Sequence, residues 1–224
     1  MRLGQDPTGG EAADAAREAR SSWSGPDLVP IPGGTVRGRP VRPFQLGRTP
    51  VTNALYAPFL AAGLAPAPPW WNDRAFISPR QPVVGVTWEE AVMYCDWLSA
   101  AIGGRWRLPT EAEWEFAACG GLEHPATAWG DSVPPGEIPD GPLDAPWEAG
   151  RGKPNGYGLC DMGTIVHEWC AEWRETERPN LPKRRSSRGG SWRHAVRWSA
   201  PSAQSSLPPD YRYSDYGFRV ARDV

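Results

Sequence analysis

Histidine and cysteine, the side chains that most often bind transition metals or act as nucleophiles, are few in this chain. There are three histidines and four cysteines, and no Cys-x-x-Cys pair: His124, His167, His194, Cys95, Cys119, Cys160 and Cys170. His167 next to Glu168 could serve metal binding or acid–base chemistry, but a metal site needs several ligands that converge, and the spacing requires no convergence. We therefore predict no metal, no cofactor, a hydrogen-bonded core histidine at position 167, and buried free thiols.

A run of three carboxylates, Glu111, Glu113 and Glu115, also has the residue types of an acid–base site. Thr110 directly precedes the run, and Glu113 stands three residues after Thr110. This is the spacing of a capping box at a helix N-terminus. The helix dipole favours acidic side chains in the first turn. We therefore predict a structural role for these acids.

The segment from Tyr211 to Tyr216 combines tyrosine, arginine, serine and aspartate without an aliphatic core pattern. Tyrosine offers rigid contact area at low entropic cost, and Tyr, Trp and Arg are enriched in binding hot spots. This composition is typical of a ligand-binding loop. The alternative is an edge strand whose tyrosines are half-buried.

Helices are predicted in the first half of the chain, where threonines stand at N-cap positions. They follow Thr52, Thr87 and Thr110 and cover about 53–62, 88–101 and 111–119. The second and third also have glutamate three residues after the cap, which completes a capping box. In the second helix the helical spacing predicts a core face of Val92, Cys95, Leu98 and Ile102.

Short strands and loops are predicted elsewhere. Strands are expected within 28–36, on either side of a Pro-Gly-Gly turn, and at 43–47, whereas 122–160 is rich in Pro and Gly and reads as loop. Only short strands and loops are expected after Gly158. The predicted fold class is α+β and loop-rich, with short antiparallel strands and two to three helices. We assign residues 1–27 to an N-terminal arm, disordered or a short helix, and 28–224 to a single domain.

Composition excludes several classes of protein. The 224 residues include 25 glycines and 26 prolines, too many for a helical bundle or coiled coil. The 13 tryptophans supply large buried anchors, and a net charge of −2 gives no reason to expect nucleic-acid binding. We see no apolar run long enough to span a membrane and no apolar core of a signal peptide near the N-terminus. We therefore expect a cytoplasmic protein or part of a phage-like particle. The abundance of Pro, Ala, Arg and Trp also predicts a thermostable protein.

Seven segments occur in an order that resembles one known family: 43–46 with 49–52, 82–88, 107–115, 158–163, 168–170, Arg188-Gly189-Gly190-Ser191-Trp192, and Gly217-Phe218-Arg219-Val220. The resemblance is to the formylglycine-generating-enzyme, or sulfatase-modifying-factor, family. It covers about residues 28–221 and implies a C-type-lectin-like fold. Arg188 and Arg219 flank the C-terminal segment, and we expect them to hold its loops through hydrogen bonds to buried carbonyls or to Asp161.

The family has several branches, so the fold does not decide the function. The sulfatase-activating oxidase branch requires a cysteine pair, and the matching positions here are His194 and Ser199. No cysteine follows Cys170, which argues against that thiol chemistry. The ergothioneine-type oxygenase branch takes iron from three histidines in an additional helical domain, for which we see no counterpart. An Asn that helps to bind calcium in the enzyme branch has no match within 163–166, which argues against structural calcium.

A third branch, the variable proteins of diversity-generating retroelements, matches the spacing between the last two motifs. In that branch adenine-specific mutagenesis rewrites asparagine codons, so the resemblance implies a variable, ligand-binding segment at about 193–216. The expected positions are Arg193, His194, Ala195, Trp198, Ala203, Ser205, Ser206, Leu207, Tyr211, Tyr213, Ser214 and Asp215. An asparagine codon cannot yield Trp, so Trp198 is either fixed or has a different template codon. The status of Gln204 and Tyr216 stays open.

The resemblance thus implies a non-catalytic protein that displays a diversified surface to a macromolecular ligand, a protein or a cell surface. One alternative is a maturation enzyme or oxidoreductase of the same family that acts without the cysteine pair. Another is a structural tail or coat component that binds nothing through these residues.

Overall fold

A computed structural model describes residues 23–139, 143–174, 182–195 and 198–224. Most of the predicted N-terminal arm, residues 1–22, lies outside these ranges. The described helices are α1 Asn53–Ala61, α2 Trp88–Ile102 and α3 Glu111–Cys119. The described strands are β1 Leu28–Ile31, β2 Gly34–Val36, β3 Arg39–Val41, β4 Phe44–Gly47, β5 Trp106–Arg107, β6 His167–Arg174, β7 Arg184–Arg188, β8 Gln204–Leu207, β9 Tyr216–Phe218 and β10 Ala221–Asp223. The fold class is α+β, as predicted.

The three helices begin at the predicted N-caps. Thr52, Thr87 and Thr110 each accept a hydrogen bond from the first turn, and both capping boxes are formed. The predicted core face of α2 is only partly correct. Cys95 and Leu98 are buried, whereas Ile102, the last residue of the helix, is exposed. Across the described ranges, no helix has the length and apolar character that a membrane crossing requires.

One antiparallel sheet joins the two ends of the described chain in the order β1-β4-β10-β5. The Pro-Gly-Gly turn after β1 does not close a hairpin, because β1 pairs with β4 while β2 pairs with β3. The last strand therefore lies in the centre of the first sheet, and the segment that precedes it is held close to the core.

The second sheet has the order β8-β7-β6-β9 and contains one parallel pair, β6 with β9. His167 lies opposite Tyr216, and Glu168 lies opposite Gly217. Only glycine fits at 217, because a Cβ there would lie 2.6 Å from the carbonyl oxygen of Val83. The parallel pairing brings the start of β6 and the start of β9 to the same edge of the sheet.

A buried ion pair connects the two sheets. Glu168 and Arg219 are both fully buried, and two guanidinium nitrogens lie 3.0 Å from the two carboxylate oxygens. Arg219 also donates to the carbonyls of Gly47, Arg48 and Cys160. Trp114 donates to Glu168 through its indole nitrogen at 2.7 Å. Glu168 is thus hydrogen-bonded to both Arg219 and Trp114 of α3.

Candidate functional site

The C-terminal segment reaches the surface at one edge of the second sheet. There β6 begins at His167, β7 ends at Arg188, and β9 begins at Tyr216. Gly189 turns the chain after β7 with a φ of +77°, and a Cβ would lie 2.9 Å from the Cα of Gly163. Glycine is therefore required, and the turn directs the carbonyl of Gly189 at the His167 ring.

Three side chains distant in sequence converge at this edge. One ligand atom each from His167, His194 and Asp215 lies within 4.8 Å of the others. Nε2 of His167 is 3.1 Å from Nδ1 of His194. Ser191 joins the cluster: its hydroxyl donates to Asp215 at 2.9 Å and lies 3.1 Å from Nδ1 of His194. No local pattern in the sequence indicates this cluster, because the parallel β6–β9 pairing and the turn after β7 create it.

The protonation of His167 follows from its surroundings. Burial lowers its pKa below the ordinary value of 6.5, and nearby Asp215 opposes that shift only in part. The imidazole is therefore neutral at neutral pH. Nδ1 lies 2.6 Å from the carbonyl oxygen of Gly189, which can only accept, so Nδ1 holds the proton and donates it. Nε2 is left with its lone pair directed at His194.

The C-terminal segment also carries exposed aromatic side chains, and a chain of ring contacts through Tyr216 links two of them to His167. The exposed fractions are 46% for Tyr211, 42% for Tyr213 and 55% for Trp198. The ring centroids of Tyr211 and Tyr213 are 6.3 Å apart, and Tyr213 is 6.1 Å from Tyr216. Tyr211 and Tyr213 lie outside any strand, so the edge-strand alternative is wrong for both. Tyr216 is in β9 and is buried.

Most of the predicted variable positions are accessible. Those exposed are Arg193, His194, Ala195, Trp198, Tyr211 and Tyr213, and those partly exposed are Ala203, Ser205, Ser206, Leu207 and Ser214. Asp215 differs from the others. Its side chain is buried, and its carboxylate accepts a hydrogen bond from Ser191. Asp215 therefore supports the surface from beneath.

Scaffold side chains anchor the loop between Tyr211 and Tyr216. Arg212 donates to both carboxylate oxygens of Glu90 and to the carbonyl of Gly85. Trp192 donates to the carbonyl of Ser214 at 3.2 Å. These bonds hold the loop backbone and leave the tyrosine rings accessible.

The two flanking arginines partly match expectation. Arg219 binds the predicted buried carbonyls, but its carboxylate partner is Glu168. Arg188, also fully buried, lies 3.1 Å from the carboxylate of Glu115 and 3.6 Å from that of Glu111. Glu111 and Glu115 thus form ion pairs as well as belonging to the first turns of α3, a role that the capping pattern alone did not predict.

A cation–π stack extends the surface beyond the predicted segment. The guanidinium of Arg185 lies 3.3 Å from the ring centroid of Trp88 and 3.7 Å from that of Trp173. The backbone of Trp88 donates to Pro209, which places the stack beside the C-terminal loop. These three residues come from α2, β6 and β7, so no local sequence pattern indicates that they meet.

A profile of the sulfatase-modifying factor enzyme 1-like domain matches residues 11–224. The chain belongs to this family. A relative in the family is the formylglycine-generating enzyme of Streptomyces coelicolor, 32% identical over 82% of this chain and 79% of the enzyme. Two solved structures have a TM-score of 0.73. CarF is 24% identical and covers 89% of this chain and 98% of its own. The Treponema denticola variable protein 1 is 22% identical and covers 88% of this chain and 95% of its own. These likenesses establish the C-type-lectin-like fold that the motifs implied.

Within the described residues, no thiol belongs to the histidine cluster. All four cysteines are free and buried. Burial raises the pKa of the Cys95 and Cys170 thiols, so both stay protonated and unreactive at neutral pH. Of the two residues that the resemblance aligns with the oxidase cysteines, His194 is exposed and Ser199 is buried.

Proposed function

We propose that this protein is a non-catalytic binder that presents a diversified surface, built from residues 193–216, on a C-type-lectin-like scaffold. The observation that carries the proposal is the exposure of Tyr211 and Tyr213 on a loop whose backbone is anchored from below. Recognition surfaces of this kind combine rigid aromatic contacts with adaptable polar ones.

The division of labour between anchors and exposed side chains supports a surface that can vary. Arg212 and Arg219 bind through their side chains to the scaffold carboxylates of Glu90 and Glu168, and Trp192 donates to the backbone carbonyl of Ser214. Tyr211, Tyr213 and most other expected variable positions present accessible side chains. Replacement at these positions changes the surface chemistry and leaves the anchors in place.

The composition of the surface fits a macromolecular ligand. Exposed Trp198, Tyr211, Tyr213 and Arg193 are the residue types enriched in protein-binding hot spots. Full burial of an apolar side chain contributes about 1.5–3 kcal/mol before the costs of association. Several such side chains acting together give useful affinity, so we propose a protein or cell-surface ligand.

The binding test compares the proposed surface with an exposed apolar pair elsewhere. Arrays of bacterial surface proteins and glycans are probed with the wild-type chain, Tyr211→Ala/Tyr213→Ala, and the control Leu64→Ala/Leu122→Ala, whose side chains are also exposed. We expect at least one ligand that the wild type and the control bind equally well. The tyrosine variant should bind that ligand at least about tenfold more weakly. Equal binding by both variants would place recognition elsewhere.

A second candidate function is a maturation enzyme or oxidoreductase of the family that acts without a cysteine pair. The observation that favours it is the convergence of His167, His194 and Asp215. A neutral buried imidazole beside a carboxylate is suited to general base catalysis. Turnover of a peptide or small-molecule substrate that His167→Gln abolishes would support this candidate over the binder.

A further inference from the structure

We propose that His167, His194 and Asp215 form a binding site for a divalent first-row transition-metal ion of the Zn²⁺ type. The proposal stands apart from the proposed function, because it rests on the geometry of one side-chain cluster. It replaces the expectation, drawn from spacing alone, that the chain has no metal site.

The ligand atoms already have nearly the separations that a metal requires. Nε2 of His167 and Nδ1 of His194 are 3.1 Å apart. Two ligands about 2.0–2.1 Å from a tetrahedral zinc ion are separated by about 3.3 Å. The third ligand atom, from Asp215, is within 4.8 Å of both. Small side-chain rotations therefore bring all three to one ion.

Outer hydrogen bonds orient the ligands in the way that metal sites use. Metal-bound histidines commonly donate their second ring nitrogen to a carbonyl or a carboxylate. His167 does so, because Nδ1 donates to Gly189 and Nε2 keeps its lone pair. The Ser191 hydroxyl fixes the Asp215 carboxylate in the same way. The ion would replace the hydrogen-bonding proton between His167 and His194.

The burial of the ligands leaves one side of the site open. His167 and Asp215 are buried, whereas His194 is exposed. Three protein ligands with an accessible fourth position are typical of zinc sites that bind water or substrate. Two neutral imidazoles and one carboxylate leave a net charge of +1 on a divalent ion. The open position therefore suits an anionic or carbonyl oxygen of a ligand.

The donor set restricts the kind of metal. Imidazole ligands favour zinc, copper, iron and nickel, whereas calcium and magnesium prefer all-oxygen sites. No thiolate is in the cluster, so the soft-ligand chemistry of Cu(I) does not apply. Zn²⁺ is the appropriate probe, and Co²⁺ is its spectroscopic substitute.

The site is compatible with a variable segment but does not depend on one. His194 and Asp215 are among the expected variable positions, and both residue types arise from asparagine codons by changes at adenine. A metal site would then exist only in copies of the segment that encode this pair. The metal test and the test for diversification can therefore fail separately.

Calorimetric titration of the tag-free, chelator-treated full chain with Zn²⁺ tests the proposal. We expect one equivalent bound by the wild type and by the control His124→Asn, which changes the histidine outside the cluster. His194→Ala and Asp215→Asn should each bind at least about a hundredfold more weakly, and Ser191→Ala about 10–100-fold more weakly. Because His194 is exposed, His194→Ala should fold even if changes at buried residues do not.

The visible absorption of Co²⁺ supplies a second readout. A Co²⁺ ion held by two imidazoles and a carboxylate absorbs more strongly than the hydrated ion. The wild type and His124→Asn should give this spectrum, and His194→Ala should not. The proposal is overturned if the wild type binds no Zn²⁺ at one equivalent, or if His194→Ala and Asp215→Asn bind it as the wild type does. In that case the cluster is a hydrogen-bonded network only.

Discussion

The guanidinium of Arg212 forms a bidentate ion pair with the carboxylate of Glu90, with N–O distances of 2.7 and 2.6 Å. Glu90 is also the third residue of α2, where it accepts from the backbone nitrogen of Thr87 to complete the capping box. One carboxylate thus caps the N-terminus of α2 and holds the exposed loop between Tyr211 and Tyr213. The proposed binding surface is attached to the rigid scaffold at this point.

Loss of the Arg212 side chain should destabilise the protein. In Arg212→Ala the carboxylate of Glu90, which is almost fully buried, loses its ionic partner. We expect the free energy of unfolding to fall by about 1–3 kcal/mol, measured by urea denaturation. The control Arg74→Ala changes an exposed arginine and should cost less than about 0.5 kcal/mol. Equal losses in the two variants would show that the ion pair does not hold the loop.

The Glu168–Arg219 pair should contribute more than a surface pair. Glu168→Gln leaves Arg219 as an unpaired charge in a fully buried position, at an expected cost of about 3–5 kcal/mol. The matched control is Asp27→Asn, which breaks an exposed pair with Arg48 and should cost less than about 1 kcal/mol. Denaturant unfolding of both variants checks this difference, and a cost below about 1 kcal/mol for Glu168→Gln contradicts it.

Acid should destabilise the fold through His167. Its pKa is lowered by burial, so the unfolded chain binds a proton more readily than the folded chain. The stability that neutral His167 contributes to the folded state is fully present above about pH 6.5 and is lost as the pH falls below that value. The free energy of unfolding should therefore fall between about pH 7 and about pH 5, and by less in His167→Gln. Equal declines in the two proteins would exclude His167 as a source.

Substitution should be tolerated at the exposed positions and costly beneath them. Tyr211→Asn and Tyr213→Asn should each change the free energy of unfolding by less than about 0.5 kcal/mol. Tyr216 is buried, and its hydroxyl lies 2.8 Å from that of Ser205. Tyr216→Ala should cost about 3 kcal/mol or more. Thermal denaturation of the three variants gives this ranking, and a large loss at Tyr211 or Tyr213 would argue against a variable surface.

Local signals in the sequence predicted the helices well. A capping box lies within four consecutive residues, so Thr87 with Glu90 and Thr110 with Glu113 were sufficient to locate α2 and α3. The exposure of Tyr211 and Tyr213 was also predictable, because their segment lacks an aliphatic core pattern.

Long-range pairing explains what the sequence alone did not reveal. The parallel contact of β6 with β9 joins positions 49 residues apart, as with His167 and Tyr216. No local periodicity encodes that contact, and the convergence of His167, His194 and Asp215 depends on it. The hydrogen bond from Ser191 to Asp215 has the same origin, because only the fold brings these two residues, 24 apart in the chain, together.

The central claim, a diversified binding surface, is tested most directly by the DNA that surrounds the coding sequence. We predict a non-coding near-copy of the codons for about residues 190–220, close to a reverse-transcriptase gene. The copy should differ from the coding sequence almost only where it has adenine, and the differences should fall at the exposed positions, Tyr211 and Tyr213 among them. The absence of such a copy, or differences that ignore adenine, would contradict the account and favour the enzymatic candidate.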